Sequence, residues 1–149
     1  MSKEKQLSYI VEEIFKIDNP KIAISKKEQI YASIKTTVNG DASIESYLIV
    51  SLSTNNKPVV FGYILTNVRL IQFEINPNGD ISSVSYILNK IIGGVERNIT
   101  DNGNRIDARI KFSPNGTIVG LKYSSVNQEI TNFFEKVEQT WIKGSQDAR

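Results

Sequence analysis

Apolar residues recur every three to four positions along residues 3–17, at every second position over much of residues 29–123, and at helical spacing again towards residue 141. That change of period constrains the fold more than any single motif. A spacing that gives a helix one apolar stripe would scatter the same residues over both faces of a strand. The chain therefore reads as helix, then a run of short strands, then helix.

In the first segment Leu7, Ile10, Val11, Ile14 and Phe15 fall at i, i+3, i+4, i+7 and i+8, with Lys and Glu opposite. Ser2 is placed to cap the helix. Asp18-Asn19-Pro20 ends it, because the residue before a proline disfavours helical geometry. The stripe of Leu7, Ile10, Val11 and Ile14 has two readings: packing on the domain's own core, or an interaction helix for a partner or a second copy. Glu12 and Glu13 speak against an anionic bilayer.

Residues 21–28 form a junction where Ser25 and Glu28 have capping-box spacing, compatible with a short helical turn. From residue 29, Ile30, Ala32, Ile34 and Val38 alternate with polar residues, which predicts a strand ending at Asn39-Gly40-Asp41. Further strands are predicted over 47–52, 59–66, 69–75, 81–86, 105–112 and 117–123, the one from residue 81 continuing towards Ile99 with a break at Gly93-Gly94. Turn signals stand at 54–58, 76–80 and 101–104, and Asn115-Gly116 is the strongest hairpin signal of all. A C-terminal helix capped by Ser124 or Ser125 then carries Val126, Ile130, Phe133, Phe134, Val137 and Trp141 on one face. Antiparallel strands on short turns leave two edges and one apolar opening, which a bent sandwich or partly open barrel closed by that helix would cover. The expected class is mainly β with α+β content: a seven-stranded antiparallel bent sandwich over residues 21–143, an N-terminal helical extension over 1–20, and a disordered polar tail over 144–149.

The segment FGYILTNVRLIQFEI, residues 61–75, adds a more specific pointer. It resembles the hydrophobic–Thr-Asn/Asp-x-Arg-Leu-Ile signature of bacterial pleckstrin-homology-like and GRAM-like domains. Glu28-Gln-Ile30 resembles the E-x-I that precedes their first strand, residues 81–99 their paired central segment, and Trp141 a tryptophan often found in their closing helix. The resemblance spans about residues 22–142 and implies a seven-stranded bent sandwich capped by a helix. Physically, Thr66 can bond its own turn and Asn67 tolerates a tight connection, so no glycine is needed. Arg69 can reach back to carbonyls or a carboxylate. Thr66, Asn67 and Arg69 are therefore expected to define the turn.

Composition narrows the chemistry. The chain has no Cys and no His, which removes thiolate chemistry, cysteine zinc sites, the Ser-His-Asp triad and the commonest transition-metal ligand. Glu12/Glu13 and Glu74/Asp80 are the available carboxylate pairs, and neither sits in a catalytic motif; Gly93-Gly94 lacks the Lys-Ser/Thr of a phosphate loop. No catalytic residue, metal or cofactor is expected. A net charge of +2 and basic residues alternating with an acid in 105–111 give no nucleic-acid footprint. No apolar run approaches the ~18 residues of a membrane span, and acids interrupt the N-terminal apolar stretch, so a cytoplasmic address is expected.

The function expected is a non-catalytic binding module, engaging a protein partner or its own copies. An alternative is weak binding of anionic lipid through Lys26, Lys27 and Lys35. Pleckstrin-homology domains that bind inositol phosphates place Arg-x-Arg on strand two, but residues 47–52 hold no basic residue. A second alternative is a small-molecule carrier of helix-grip type, which an apolar cavity under the C-terminal helix would mark.

Overall fold

The computed structural model describes residues 2–17, 22–54, 57–87, 94–100, 105–112, 117–123, 132–133, 135–137 and 139–140. The chain divides into two compact units, Met1–Ser85 and Tyr86–Arg149. It is an α+β structure that contains a four-stranded antiparallel sheet with helices packed on it.

The first unit begins with α1 (Lys3–Ile17), a 3-10 turn (Ile24–Lys26) and α2 (Lys27–Thr37). Then come β1 (Ile44–Thr54), β2 (Lys57–Thr66), β3 (Arg69–Ile75) and β4 (Ile81–Ile87), adjacent in chain order within one sheet. Ser2 caps α1 as expected: its Oγ accepts the Lys5 N–H at 3.2 Å. Leu7, Ile10, Val11 and Ile14 are all buried, in one cluster with Ile30, Ile34 and Val38 of the α2 segment and with Val60, Ile64, Ile71 and Phe73 of the sheet. The α1 stripe thus belongs to the chain's own core, and α1 shares that core rather than standing apart from it. Polar bonds fasten the helix further: Gln6 Nε2 donates to the Ile44 carbonyl at 2.8 Å and Lys3 Nζ to the Asp41 carbonyl at 2.8 Å.

Residues 29–37, expected with Val38 as a strand, are helical, and Val38 is the C-cap. The apolar positions are ambiguous, because Ile30, Ile34 and Val38 lie four apart and satisfy both periods. Ala32 decides it: a strand would put it on the face of Ile30 and Ile34, yet it is exposed while they are buried. Three hydroxyls that look suited to a strand are accommodated by back-bonding one turn up the helix: Ser33 to Gln29, Thr36 to Ala32 and Thr37 to Ser33, at 2.8–2.9 Å. Nor does the Ser25 capping box form. Ser25 lies within the 3-10 turn, and the N-cap position of α2 falls to Lys26, whose side chain makes no cap bond. Glu28-Gln-Ile30 accordingly opens a helix rather than preceding a strand.

In the sheet, β2 and β3 pair as Leu65↔Leu70, Ile64↔Ile71, Tyr63↔Gln72 and Gly62↔Phe73. Val60, Ile64, Ile71 and Phe73 lie on the face that meets the helices, while Leu48, Tyr63, Leu65 and Leu70 are buried on the opposite face. Gly62 is required where it stands. A Cβ there would lie 2.1 Å from the Phe73 ring, which covers the glycine across the strand pair.

In the second unit β5 (Gly94–Thr100), β6 (Arg105–Phe112) and β7 (Thr117–Tyr123) form an antiparallel three-stranded sheet. The expected continuation from residue 81 to Ile99 is thus two strands, β4 ending at Ile87 and β5 starting at Gly94. Thr100 pairs with Arg105 and Phe112 with Thr117, so each four-residue connection joins paired strand ends. The turn residues 101–104 and Asn115-Gly116 themselves lie outside the described residues, as do Ser124, Ser125, Val126, Ile130, Phe134, Trp141 and the 144–149 tail. Residues 132–133, 135–137 and 139–140 are helical, with Phe133 and Val137 buried four positions apart.

Candidate functional site

Among the described residues, polar side chains converge at the β2–β3 turn. Thr66 ends β2 with its side chain fully buried. Its Oγ1 accepts the N–H groups of Val68 and Arg69 at 3.2 and 3.0 Å, so the hydroxyl closes the turn that a glycine would otherwise have to make. Asn67 reaches outward from the turn. Its N–H donates to the Ser43 carbonyl at 3.2 Å, and its Oδ1 accepts the Ala42 and Ser43 N–H groups at 3.1 and 3.4 Å. The turn therefore clips the connection between α2 and β1.

Arg69 completes the cluster. Its Nε and Nη2 each lie 3.0 Å from Asp41 Oδ2, Nη2 also donates to the Thr37 carbonyl at 2.8 Å, and Nη1 to Ser85 Oγ at 3.3 Å. Thr37 is the last residue of α2, so the guanidinium satisfies an orphan carbonyl and sets a positive charge at the negative end of the helix dipole. Asp41 is nearly buried beside it, at 9% side-chain exposure. One arginine thus joins α2, the α2–β1 connection, the β2–β3 hairpin and β4. Thr66 ends β2, Asn67 lies in the turn and Arg69 begins β3. Their partners Thr37, Asp41 and Ser85 were not foreseeable as partners, since only the fold brings them together.

The three lysines proposed for an anion do not form one site. Lys27 is ion-paired with Glu12 of α1. The stem of Lys26 lies against Gly79 in the β3–β4 turn. Lys35 stands more than two helical turns beyond Lys27 on α2. The Lys27 hydrogen bond, and then its charge, hold the Glu12 carboxyl below the usual carboxylate range.

The Glu12–Lys27 pair separates two open grooves on the outer side of the helix pair. One of about 450 Å³ is lined by Phe15, Lys16, Ile22, Ala23 and Ile24 besides the pair itself. The other, about 240 Å³, has Ser8, Val11, Glu28 and Tyr31. Ile24 beside the first is 70% exposed, and Tyr9 of α1 is 49% exposed. Nothing in the string sets Ile24 apart from Ile22 two residues earlier, yet Ile22 is buried and Ile24 is exposed.

Among the described residues no group of three or more Asp, Glu, His or Cys could hold a metal ion, and no helix is long and apolar enough to cross a membrane. The chain matches no protein-family model and no curated protein.

Proposed function

We propose that this chain is a non-catalytic binding module whose contact surface is the outer side of the α1–α2 pair, and that its partner is a protein. The observation that carries this is the placement of apolar groups there. Ile24, in the 3-10 turn that leads into α2, and Tyr9 of α1 are exposed, and Phe15 of α1 and Tyr31 of α2 line the grooves, while the inner faces of both helices are held by the core. An exposed apolar patch on a well-packed support, with charged groups at its margin, is the usual chemistry of a protein-contact surface. The polar cluster at the β2–β3 turn points the same way, since Thr66, Asn67, Arg69 and Asp41 are committed to one another and to backbone groups. A sequence without His or Cys has few other routes to catalysis.

We read the architecture as a pleckstrin-homology-like bent sandwich closed by a C-terminal helix, preceded by a helix pair. Four strands followed by three, then helical residues, with Tyr63, Leu65 and Leu70 buried on the sheet face away from the α1–α2 pair, support that reading. The cytoplasm remains the proposed location. The test is affinity capture with the intact protein, side by side with Ile24→Asp and Tyr9→Asp variants whose far-UV spectra match the parent. A protein captured by the parent and lost from both variants supports the surface. The same captured proteins from all three would overturn it.

A further inference from the structure

Asparagine followed by glycine is chemically labile, because a glycine amide meets no Cβ hindrance in attacking the preceding side chain. This sequence contains four such pairs, at 39–40, 78–79, 102–103 and 115–116. The first two lie among the described residues, and the fold treats them very differently.

At the β3–β4 turn the nucleophile is held. The Gly79 N–H closes the turn by donating to the Asn76 carbonyl at 2.9 Å, and Asn76 Oδ1 accepts the N–H groups of Asn78 and Asp80 at 2.9 and 3.1 Å. Gly79 is buried against the Lys26 stem, so close that a Cβ would lie 3.0 Å from it. Attack on the Asn78 side chain would require opening that turn.

At the end of α2 the nucleophile is free. Asn39 and Gly40 are the two central residues of a turn closed by the Asp41 N–H on the Val38 carbonyl at 3.2 Å. Both are exposed, and neither the Gly40 amide nor the Asn39 carboxamide has a partner among the described residues. Open space surrounds Gly40, with nothing within 4 Å of where a Cβ would stand, and its φ of 95° belongs to a residue with few steric limits.

We propose that Asn39 is a site of spontaneous deamidation in the folded protein, while Asn78 is protected by its turn. The Gly40 nitrogen attacks Asn39 Cγ, a C–N bond forms, and the Cγ–Nδ2 bond breaks with Nδ2 leaving as ammonia. The resulting succinimide takes up water and opens to aspartate or isoaspartate, so the net change is gain of water and loss of ammonia, with no oxidation or reduction. The product stands between Thr37 and Asp41, the two groups that Arg69 holds. Aspartate adds a negative charge at the C-terminal end of α2, where the helix dipole disfavours it. Isoaspartate adds a backbone atom to the turn that presents Asp41. Modification therefore falls on the segment that the hairpin clips.

The test is a time course of the intact protein at mildly alkaline pH, in buffer and in concentrated urea, read by peptide mass spectrometry with fragmentation to assign each site. In urea both sites should gain the one-dalton increment at similar rates. In buffer Asn39 should convert at least roughly tenfold faster than Asn78, about the factor carried by one lost turn hydrogen bond. Equal rates in buffer, a faster Asn78, or an unchanged Asn39 while urea converts both, would overturn the assignment.

Discussion

The two ends of α2 are fastened by opposite means. At its C-terminal end a largely buried arginine bonds the last helical carbonyl and a nearly buried aspartate. At its N-terminal end an exposed lysine meets an exposed glutamate of α1, while the Lys26 stem and the Gln29 amide rest on the β3–β4 turn. An ion pair in water contributes little, because solvent screens it and two long side chains lose freedom to hold it. A guanidinium withdrawn from water and bonded to a carboxylate and a carbonyl is different, since removing it strands both partners. The C-terminal end should therefore hold the helix on the sheet, and the N-terminal end should be adjustable beside the proposed contact surface.

The largest effect is expected from Arg69→Ala. It should destabilise the first unit by roughly 2–4 kcal/mol in denaturant unfolding, by leaving Asp41 and the Thr37 carbonyl without their donor. Arg69→Lys should recover only part of this, because an ammonium cannot reproduce the planar fork. Next comes Thr66→Ala, at about 1–2 kcal/mol, because two turn N–H groups lose their acceptor inside a buried site. Thr66→Ser retains the hydroxyl and should cost less than Thr66→Ala.

Gly79→Ala tests the other end. Its φ of 83° and the 3.0 Å approach to Lys26 predict a loss of about 1–2 kcal/mol, through strain and displacement of the Lys26 stem. The smallest effect should come from Glu12→Gln. The Glu12 pKa is lowered in the folded state, so its contribution is present above the usual carboxylate range and is lost as pH falls below it. With Glu12 exposed, the midpoint near neutral pH should not move measurably, and only a slight flattening of the acid limb should be seen. A large change on Glu12→Gln, or none on Arg69→Ala, would break the comparison.

The sequence carried the α1 stripe, its Ser2 cap and the strands from β1 to β3 because each has one dominant period or a local cap. It did not carry α2. Ile30, Ile34 and Val38 fit two periods, and three hydroxyls whose helical bonds are invisible in a string looked like strand residues. The hairpin motif was legible as a turn because Thr66 acts on its own neighbours. The clasp was not, since Thr37, Asp41 and Ser85 are separated from Arg69 by 32, 28 and 16 residues. For the same reason the proposed contact surface could not be anticipated: its grooves arise only where α1 meets the junction and α2.

The central claim is that Arg69 and Asp41 act as one architectural unit rather than as a site held ready for a ligand. A double-mutant cycle of Arg69→Ala and Asp41→Ala by urea unfolding of the intact chain addresses it directly. The account predicts a coupling of about 1–3 kcal/mol, with the double variant less destabilised than the sum of the single ones. Additive losses, or single variants as stable as the parent, would contradict it.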